Sequence, residues 1–153
     1  MKKEVTNSVL NSVAFHGEKK NIRKAIGYIK RTIGFRKNCL GKHIKVTEFG
    51  YQSETDWEPN IAGVKRIADM FDLGFVMLYD DGVEMFGEVN YCSGELSIIE
   101  LNEVDFKKIH FDENTEEFTY GNKTGHEVSD FFNILLEAKI SAIRHDKMIV
   151  AMQ

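Results

Sequence analysis

The stretch from Gly74 to Tyr91 reads GFVMLYDDGVEMFGEVNY and predicts a β-hairpin. Apolar residues recur on both sides of Asp80-Asp81-Gly82, and an Asp-Gly pair tolerates the positive φ angles that tight hairpin turns require. A second turn signal, Ser93-Gly94, is followed by another strand-like run, Glu95–Leu101. The middle of the chain is therefore predicted to form an antiparallel meander of three strands.

A strand and a helix are predicted near the start of the chain. Val9–Phe15 has the alternation of a strand, and it ends at His16-Gly17. Glu18–Gly34 is predicted to be a helix because isoleucines recur at helical spacing along one side. These isoleucines are Ile22, Ile26, Ile29 and Ile33.

A second strand and helix are predicted before the hairpin. Ile44–Ser53 alternates and is predicted to be one strand, weakened or bulged at Gly50. Pro59 suits the first turn of the helix that follows, with Asp56 or Trp57 just outside it. The buried stripe of that helix is predicted to be Ile61, Val64, Ile67, Ala68 and Phe71.

The last third of the chain is predicted to end in a helix. Leu101–Thr124 is acidic and irregular, with short strands predicted at Lys108–Phe111 and Phe118–Tyr120. A wide apolar face predicts a helix from about His126 to His145. Together these elements predict one α+β domain over residues 1–153: a ferredoxin-like core at 11–101, then an acidic connection and C-terminal helix at 102–153. Helices are expected to cover one face of a mainly antiparallel sheet in a two-layer sandwich, with the C-terminal helix added.

The charge of the chain is divided between its two parts. Residues 1–47 carry nine lysines and three arginines against two glutamates, a net charge of +10. The remaining residues carry eight basic and twenty-two acidic side chains, a net charge of −14. The formal net charge of −4 therefore conceals a strong separation of charge along the sequence.

The outer face of the first predicted helix is a candidate nucleic-acid interface, because clustered lysines and arginines can follow a phosphate backbone. Aromatic residues for base stacking are sparse there, since only Tyr28, predicted to face outward, and Phe35 are near. A solvated helix face is the alternative, and the sequence leaves both open. The candidate residues are Lys20, Lys24 and Arg31 on the helix, and Arg36 and Lys37 in the basic connector that follows it. Three further cations accompany them on the helix: Lys19, Arg23 and Lys30.

Three ordered motifs carry a family resemblance. Asn11-Ser-Val-Ala-Phe-His-Gly17 closes a strand on a glycine before a helix, and Thr55-Asp-Trp57-Glu-Pro59 stands at a strand-to-helix joint. A strand ending in Tyr79 is then followed by Phe86-Gly87-Glu88 and Gly94. On these motifs, residues 11–101 resemble the YubB-type ferredoxin-like domain. The resemblance implies a ferredoxin-like fold and a small protein carried by a plasmid or phage, in a family with no settled activity.

The motifs also supply candidate pocket residues. Trp57, Glu58, Tyr79 and Glu88 would line a small pocket with aromatic and carboxylate groups. The alternative, which we favour, is that Trp57 fills the gap between helix and sheet while Glu58 serves the helix N-terminus.

We expect no catalytic site, no metal site and no cofactor. No two of the five histidines have the spacing of a helical metal pair, and Cys39 and Cys92 do not form a C-x-x-C pair. The hairpin acids Asp80, Asp81 and Glu84 are better interpreted as a solvated turn than as a loose cation site. The N-terminus lacks a secretory signal and no apolar run is long enough for a membrane span, so the cytoplasm is the expected compartment.

Two functions remain open at this stage, and both are binding functions without catalysis. The first is a protein-binding factor of a mobile element that acts on a host or phage protein complex. The second is a nucleic-acid-binding module that uses the basic face of the first helix. A homodimer through a sheet edge is compatible with either function.

Overall fold

The computed structural model describes residues 7–33 and 39–153 of the chain. Within these residues, six strands form one antiparallel sheet and three short strands form a second sheet. The elements are, in chain order, β1 (Ser8–His16), α1 (Lys19–Thr32), β2 (Lys42–Val46), β3 (Gly50–Asp56), α2 (Ile61–Met70), β4 (Gly74–Asp80), β5 (Phe86–Cys92), β6 (Glu95–Glu100), α3 (Glu103–Phe106), β7 (His110–Asp112), β8 (Glu117–Tyr120), β9 (Lys123–Gly125) and α4 (Val128–Ala151).

The large sheet has the strand order β2-β3-β1-β4-β5-β6, and all neighbouring strands are antiparallel. Its first four strands alternate with two helices in the order β-α-β-β-α-β, which is the ferredoxin-like arrangement. Strands β5 and β6 then extend the sheet as the predicted hairpin and meander. The predicted α+β class, with a mainly antiparallel sheet and a C-terminal helix, is confirmed.

The prediction of one strand over Ile44–Ser53 was wrong, because the chain makes a hairpin there. Strand β2 ends at Val46, and β3 begins at Gly50 and runs back beside it. The backbone N–H of Thr47 donates to the carbonyl oxygen of Gly50 at 2.9 Å, and the N–H of Gly50 donates to Oγ1 of Thr47 at 3.0 Å. These two hydrogen bonds close the turn that an alternating pattern alone does not reveal.

One face of the sheet packs against α1 and α2. Strand β1 turns Val9, Val13 and Phe15 toward this face, where they are buried in one apolar cluster with residues of both helices. Three of the four isoleucines predicted to form the α1 stripe belong to the cluster, whereas Ile33, just beyond the helix, is 39% exposed. Helix α1 is therefore amphipathic, with its apolar side committed to the sheet and its other side open.

The second helix begins later than predicted. Helix α2 starts at Ile61, and Oδ1 of Asn60 accepts a hydrogen bond from the backbone N–H of Gly63 at 3.1 Å. Asn60 is therefore the N-cap, in place of Asp56 or Trp57, because its short amide reaches back to the first turn. Pro59 lies before the helix instead of in its first turn.

The opposite face of the sheet packs against α4. Successive side chains of a strand point to opposite faces, so Phe86 points away from Val89 and Tyr91, which belong to the α1 and α2 side. Phe86 is buried against α4, which runs beyond the predicted end at His145. The other buried members of this second cluster are Leu101, Phe132, Leu135, Leu136 and Ile140. The C-terminal helix thus adds a local layer over β5 and β6.

Asp105 and Lys139 fasten α4 to the segment that precedes it. Asp105 is 7% exposed, and Nζ of Lys139 donates to its Oδ2 at 2.6 Å and to the carbonyl oxygen of Glu100 at 2.8 Å. Burial raises the pKa of Asp105, but hydrogen bonds from Lys139, from the backbone N–H of Asn102 and from Lys108 outweigh that effect. The pKa of Asp105 therefore lies below its ordinary value, and the ionised form is stabilised in the fold.

Substitution of Gly50 tests the packing of β3 on β1. An alanine Cβ at this position would lie 1.8 Å from the carbonyl oxygen of Val13, so we expect Gly50→Ala to lower the free energy of unfolding by about 3 kcal/mol. The control is Gly27→Ala in α1, where the nearest atom is Nη1 of Arg31 at 3.5 Å. The control should be neutral or stabilising by up to about 1 kcal/mol. Urea unfolding measures both variants, and equal losses would contradict the expectation.

Substitution of Asp105 tests the attachment of α4. Asp105→Asn is expected to lower the free energy of unfolding at neutral pH by about 2 kcal/mol, because Lys139 loses a charged partner. Since the folded-state pKa of Asp105 is below the unfolded value of about 3.9, the contribution is present above that value. It is lost as the pH falls through the folded-state pKa.

Urea unfolding between about pH 7 and pH 3 checks this dependence. The wild-type chain should lose more stability in acid than Asp105→Asn does. Glu137→Gln, which changes an exposed carboxyl on α4, serves as the control and should follow the wild type. An Asp105→Asn variant that loses as much stability in acid as the wild type would refute this role.

Candidate nucleic-acid interface

Six cations lie on the exposed side of α1, opposite its buried isoleucines. They form two rows, because residues three or four apart lie on the same side of a helix. The predicted residues Lys20, Lys24 and Arg31 form one row, here called the outer row, and all three are exposed. The second row, here called the groove row, consists of Lys19, Arg23 and Lys30, which are also exposed.

None of these six cations has an ion pair within residues 7–33 and 39–153. The cations that do pair with a carboxylate in this part of the chain lie elsewhere: Lys42, His43, Lys65, Lys107, Lys108, His126 and Lys139. The acidic part of the chain therefore does not neutralise α1 by direct contact. The positive charge of this helix remains open to solvent and to a ligand.

The groove row forms one wall of a groove, and the β2–β3 turn forms the other. A cavity of about 130 Å³ near the start of α1 adjoins one of about 520 Å³ farther along the helix. Arg23 and Glu48 line both cavities, so the two cavities are neighbours along the groove. The polar and aromatic residues of the groove are Lys19, Arg23, Lys30, Thr47, Glu48 and Phe49.

Phe49 is held in place by its backbone while its ring stays exposed. The backbone N–H of Phe15 in β1 donates to the carbonyl oxygen of Phe49 at 2.8 Å, which ties the turn to the sheet. The side chain of Phe49 is nevertheless 52% exposed, next to Lys19 and Arg23. The sequence pattern did not predict this exposed aromatic group, because Phe49 was expected inside a continuous strand.

Glu48 is the carboxylate in this groove, and it is exposed. It lines both cavities beside Arg23, yet within the described parts of the chain it has no ion pair. A carboxylate in this position repels phosphate oxygens and accepts hydrogen bonds. The groove therefore has a cationic helix wall and a turn wall with an aromatic ring and an acceptor.

The remaining residues predicted for this surface have other positions. Tyr28 does not face outward as predicted, because it is half-buried and its ring packs against Phe71 at a centroid distance of 5.7 Å. Phe35, Arg36 and Lys37 lie outside the described residues.

A family model described as the ferredoxin-like domain in Api92-like protein matches residues 38–123, more than half of the chain. The chain belongs to this family. No curated protein and no solved structure matches the chain significantly. The matched range begins after α1 and runs from before β2 to the start of β9. The groove therefore lies between the β2–β3 turn, which is inside the matched range, and α1, which precedes that range.

The four candidate pocket residues do not share a pocket. Trp57 is 58% exposed in the connection between β3 and α2, so the expectation that it fills the gap between helix and sheet was wrong. Its positive φ of 69° turns the chain there, and Glu58 beside it is exposed. Tyr79 is buried and pairs with Gly87, so the next residue, Glu88, points to the opposite face of the sheet.

The Tyr79 and Gly87 positions of the motif have a packing role. A Cβ on Gly87 would lie 2.4 Å from the Tyr79 hydroxyl oxygen, so only glycine leaves room for this ring. The Tyr79 hydroxyl donates to the carboxylate of Glu100. Burial and then this hydrogen bond raise the pKa of Tyr79 above its ordinary value, so the phenol stays protonated.

The hairpin acids organise their own turn. Oδ1 of Asp81 accepts hydrogen bonds from the backbone N–H groups of Val83, Glu84 and Met85 at 2.9, 3.0 and 2.8 Å. Burial raises the pKa of Asp81, but these bonds and one from Asn7 outweigh that effect and lower it. Asp81 therefore has a structural role in the turn. Among the described residues, no helix is both long enough and apolar enough to span a membrane.

Proposed function

We propose that this chain is a non-catalytic nucleic-acid-binding module that holds a phosphate backbone on the basic face of α1. The observation that carries the proposal is the absence of ion pairs to the six α1 cations within residues 7–33 and 39–153. A helix face that only contacts solvent does not require six positive charges. Their mutual repulsion destabilises the folded state. A polyanion would relieve that repulsion on binding.

The expected strength of binding depends on salt. Each phosphate that a lysine or arginine neutralises releases condensed counterions, so affinity falls steeply as salt concentration rises. With about six phosphates neutralised, a decrease in affinity of roughly three orders of magnitude between low and physiological salt is typical. The net charge of −4 on the whole chain adds a repulsion at long range that salt screens. Binding therefore depends on close approach to α1.

A second candidate is a protein-binding factor of a phage or plasmid that acts on a host or phage protein complex. It is favoured by the resemblance to the YubB-type domain and by exposed apolar side chains at the end of α4. Met148, Ile149 and Met152, which lie three or four residues apart around Met152 and so share one side of the helix, are 64%, 44% and 84% exposed. Such a group of apolar residues is typical of a contact surface for another protein.

Both candidates place the protein in the cytoplasm. The two cysteines, Cys39 and Cys92, are free and exposed, which suits a reducing compartment.

Charge reversal on the outer row tests the nucleic-acid proposal. The double variant Lys20→Glu/Lys24→Glu should bind single- and double-stranded DNA and RNA at least tenfold more weakly at low salt. The slope of log affinity against log salt should become shallower by about one for each phosphate that the variant no longer neutralises. Fluorescence anisotropy across a salt series measures both quantities.

The matched control for that variant is Arg144→Glu/Lys147→Glu on α4, which makes the same change in net charge at exposed positions. The control should retain most of the wild-type affinity, because its residues lie away from α1. No salt-dependent binding by the wild type, or equal decreases in affinity in the two double variants, would refute the proposal.

Disruption of the α4 end tests the protein-binding candidate. A pull-down from host lysate with the immobilised wild-type chain should recover a partner in stoichiometric amount. Met148→Lys should lose this partner, whereas Met70→Lys, which changes a 52% exposed methionine on α2, should keep it. Recovery of no stoichiometric partner, or retention of the partner by Met148→Lys, would count against this candidate.

A further inference from the structure

We infer that the groove between α1 and the β2–β3 turn takes single-stranded nucleic acid, with one base stacked on Phe49. This inference rests on the proposed function and adds to it the strandedness of the ligand and the orientation of the strand. It is drawn from the juxtaposition of a cationic wall, an exposed aromatic ring and a carboxylate acceptor along one groove.

Phe49 presents an exposed aromatic ring on a fixed backbone. Its ring is 52% exposed although apolar clusters are close by, and its backbone is fixed by the hydrogen bond from Phe15. Stacking a base on such a ring removes apolar surface from water without rearranging the turn. An unpaired base offers its flat face to an aromatic side chain, whereas a base in a duplex is already stacked on both sides. The ring therefore discriminates in favour of single strands.

The groove row presents its positive charge beside this ring. Lys19 and Arg23 flank Phe49 in the smaller cavity, and Lys30 continues the cationic wall along the larger one. A backbone that follows this wall places its phosphates against α1 and turns its bases toward the β2–β3 turn. This is the arrangement of a charged track beside a stacking platform, which suits single strands.

Glu48 lines the same groove from the side of the turn. Its carboxylate repels phosphates and so keeps the backbone on the α1 side. It also accepts a hydrogen bond from the exocyclic amino group of cytosine or adenine, which thymine and uracil lack. The groove should therefore bind oligo(dC) and oligo(dA) more tightly than oligo(dT).

The test compares Phe49→Ala with Phe111→Ala, since both phenylalanines are 52% exposed and Phe111 lies far along the chain in β7. Anisotropy titrations at one fixed salt concentration use labelled oligo(dC), oligo(rC) and oligo(dT), and one mixed-sequence DNA duplex. Phe49→Ala should weaken single-strand binding by roughly 5- to 100-fold and change duplex binding by less than about twofold. Phe49→Trp should restore single-strand binding, and Phe111→Ala should leave it unchanged. The DNA and RNA arms identify the sugar that the groove accepts.

The test separates this inference from the proposed function. The inference would be overturned if Phe49→Ala had no effect on binding, or if it weakened binding of single strands and of the duplex equally. In either case, binding on the basic face of α1 would still stand. Absence of any binding by the wild type would overturn both. Glu48→Ala should reduce the preference for oligo(dC) over oligo(dT), and a preference that persists unchanged would refute the assignment of Glu48. Thermal unfolding of each variant confirms that the fold is intact.

Discussion

The fold depends on the close approach of β3 to β1 at Gly50. The backbone of Val13 comes so near that a Cβ at this position would lie 1.8 Å from its carbonyl oxygen. This close approach, together with the hydrogen bonds between Thr47 and Gly50, fixes where the β2–β3 hairpin turns. It thereby places β3 between β2 and β1 in the sheet. The same turn carries Glu48 and Phe49 to the groove, so one steric constraint serves both the architecture and the candidate site.

The electrostatics of the domain follow from which carboxylates reach which cations. Acidic residues outnumber basic ones in the chain, but several of their carboxylates bind partners within their own turn, helix or packing contact. Asp81 binds its own turn, Asp105 holds Lys139, and Asp69 pairs with Lys65 one helical turn away. Helix α1 packs on the sheet through its apolar residues, and no carboxylate in the described parts of the chain lies within ion-pair distance of its cations. The separation of charge in the sequence is therefore preserved at α1 in three dimensions.

The elements that were predicted well are those with a strong local signal. The hairpin at Asp80-Asp81-Gly82 and the isoleucine stripe of α1 each rest on a periodicity or a turn chemistry that neighbouring residues determine. The turn at Thr47–Phe49 escaped prediction because three residues between two short strands can continue an alternating pattern. A Thr three residues before a Gly was the available signal, since a threonine hydroxyl can close a turn onto a following N–H. Trp57 was misjudged because a large aromatic residue is usually buried, whereas its exposure depends on a left-handed backbone that the sequence does not specify.

By itself, the sequence determined the α+β class, the amphipathic first helix and the cations on its outer side, because periodicity and composition are local properties of a chain. Only the tertiary structure decided which of those cations face a groove. It placed Lys19, Arg23 and Lys30 opposite a turn more than fifteen residues away along the chain, and it left all six α1 cations without an ion pair in the described residues. The physical reason is that the neighbours of a charge are set by strand register and helix packing, which involve residues distant in sequence. The separation of charge was visible in the sequence, but its availability to a ligand depended on the fold.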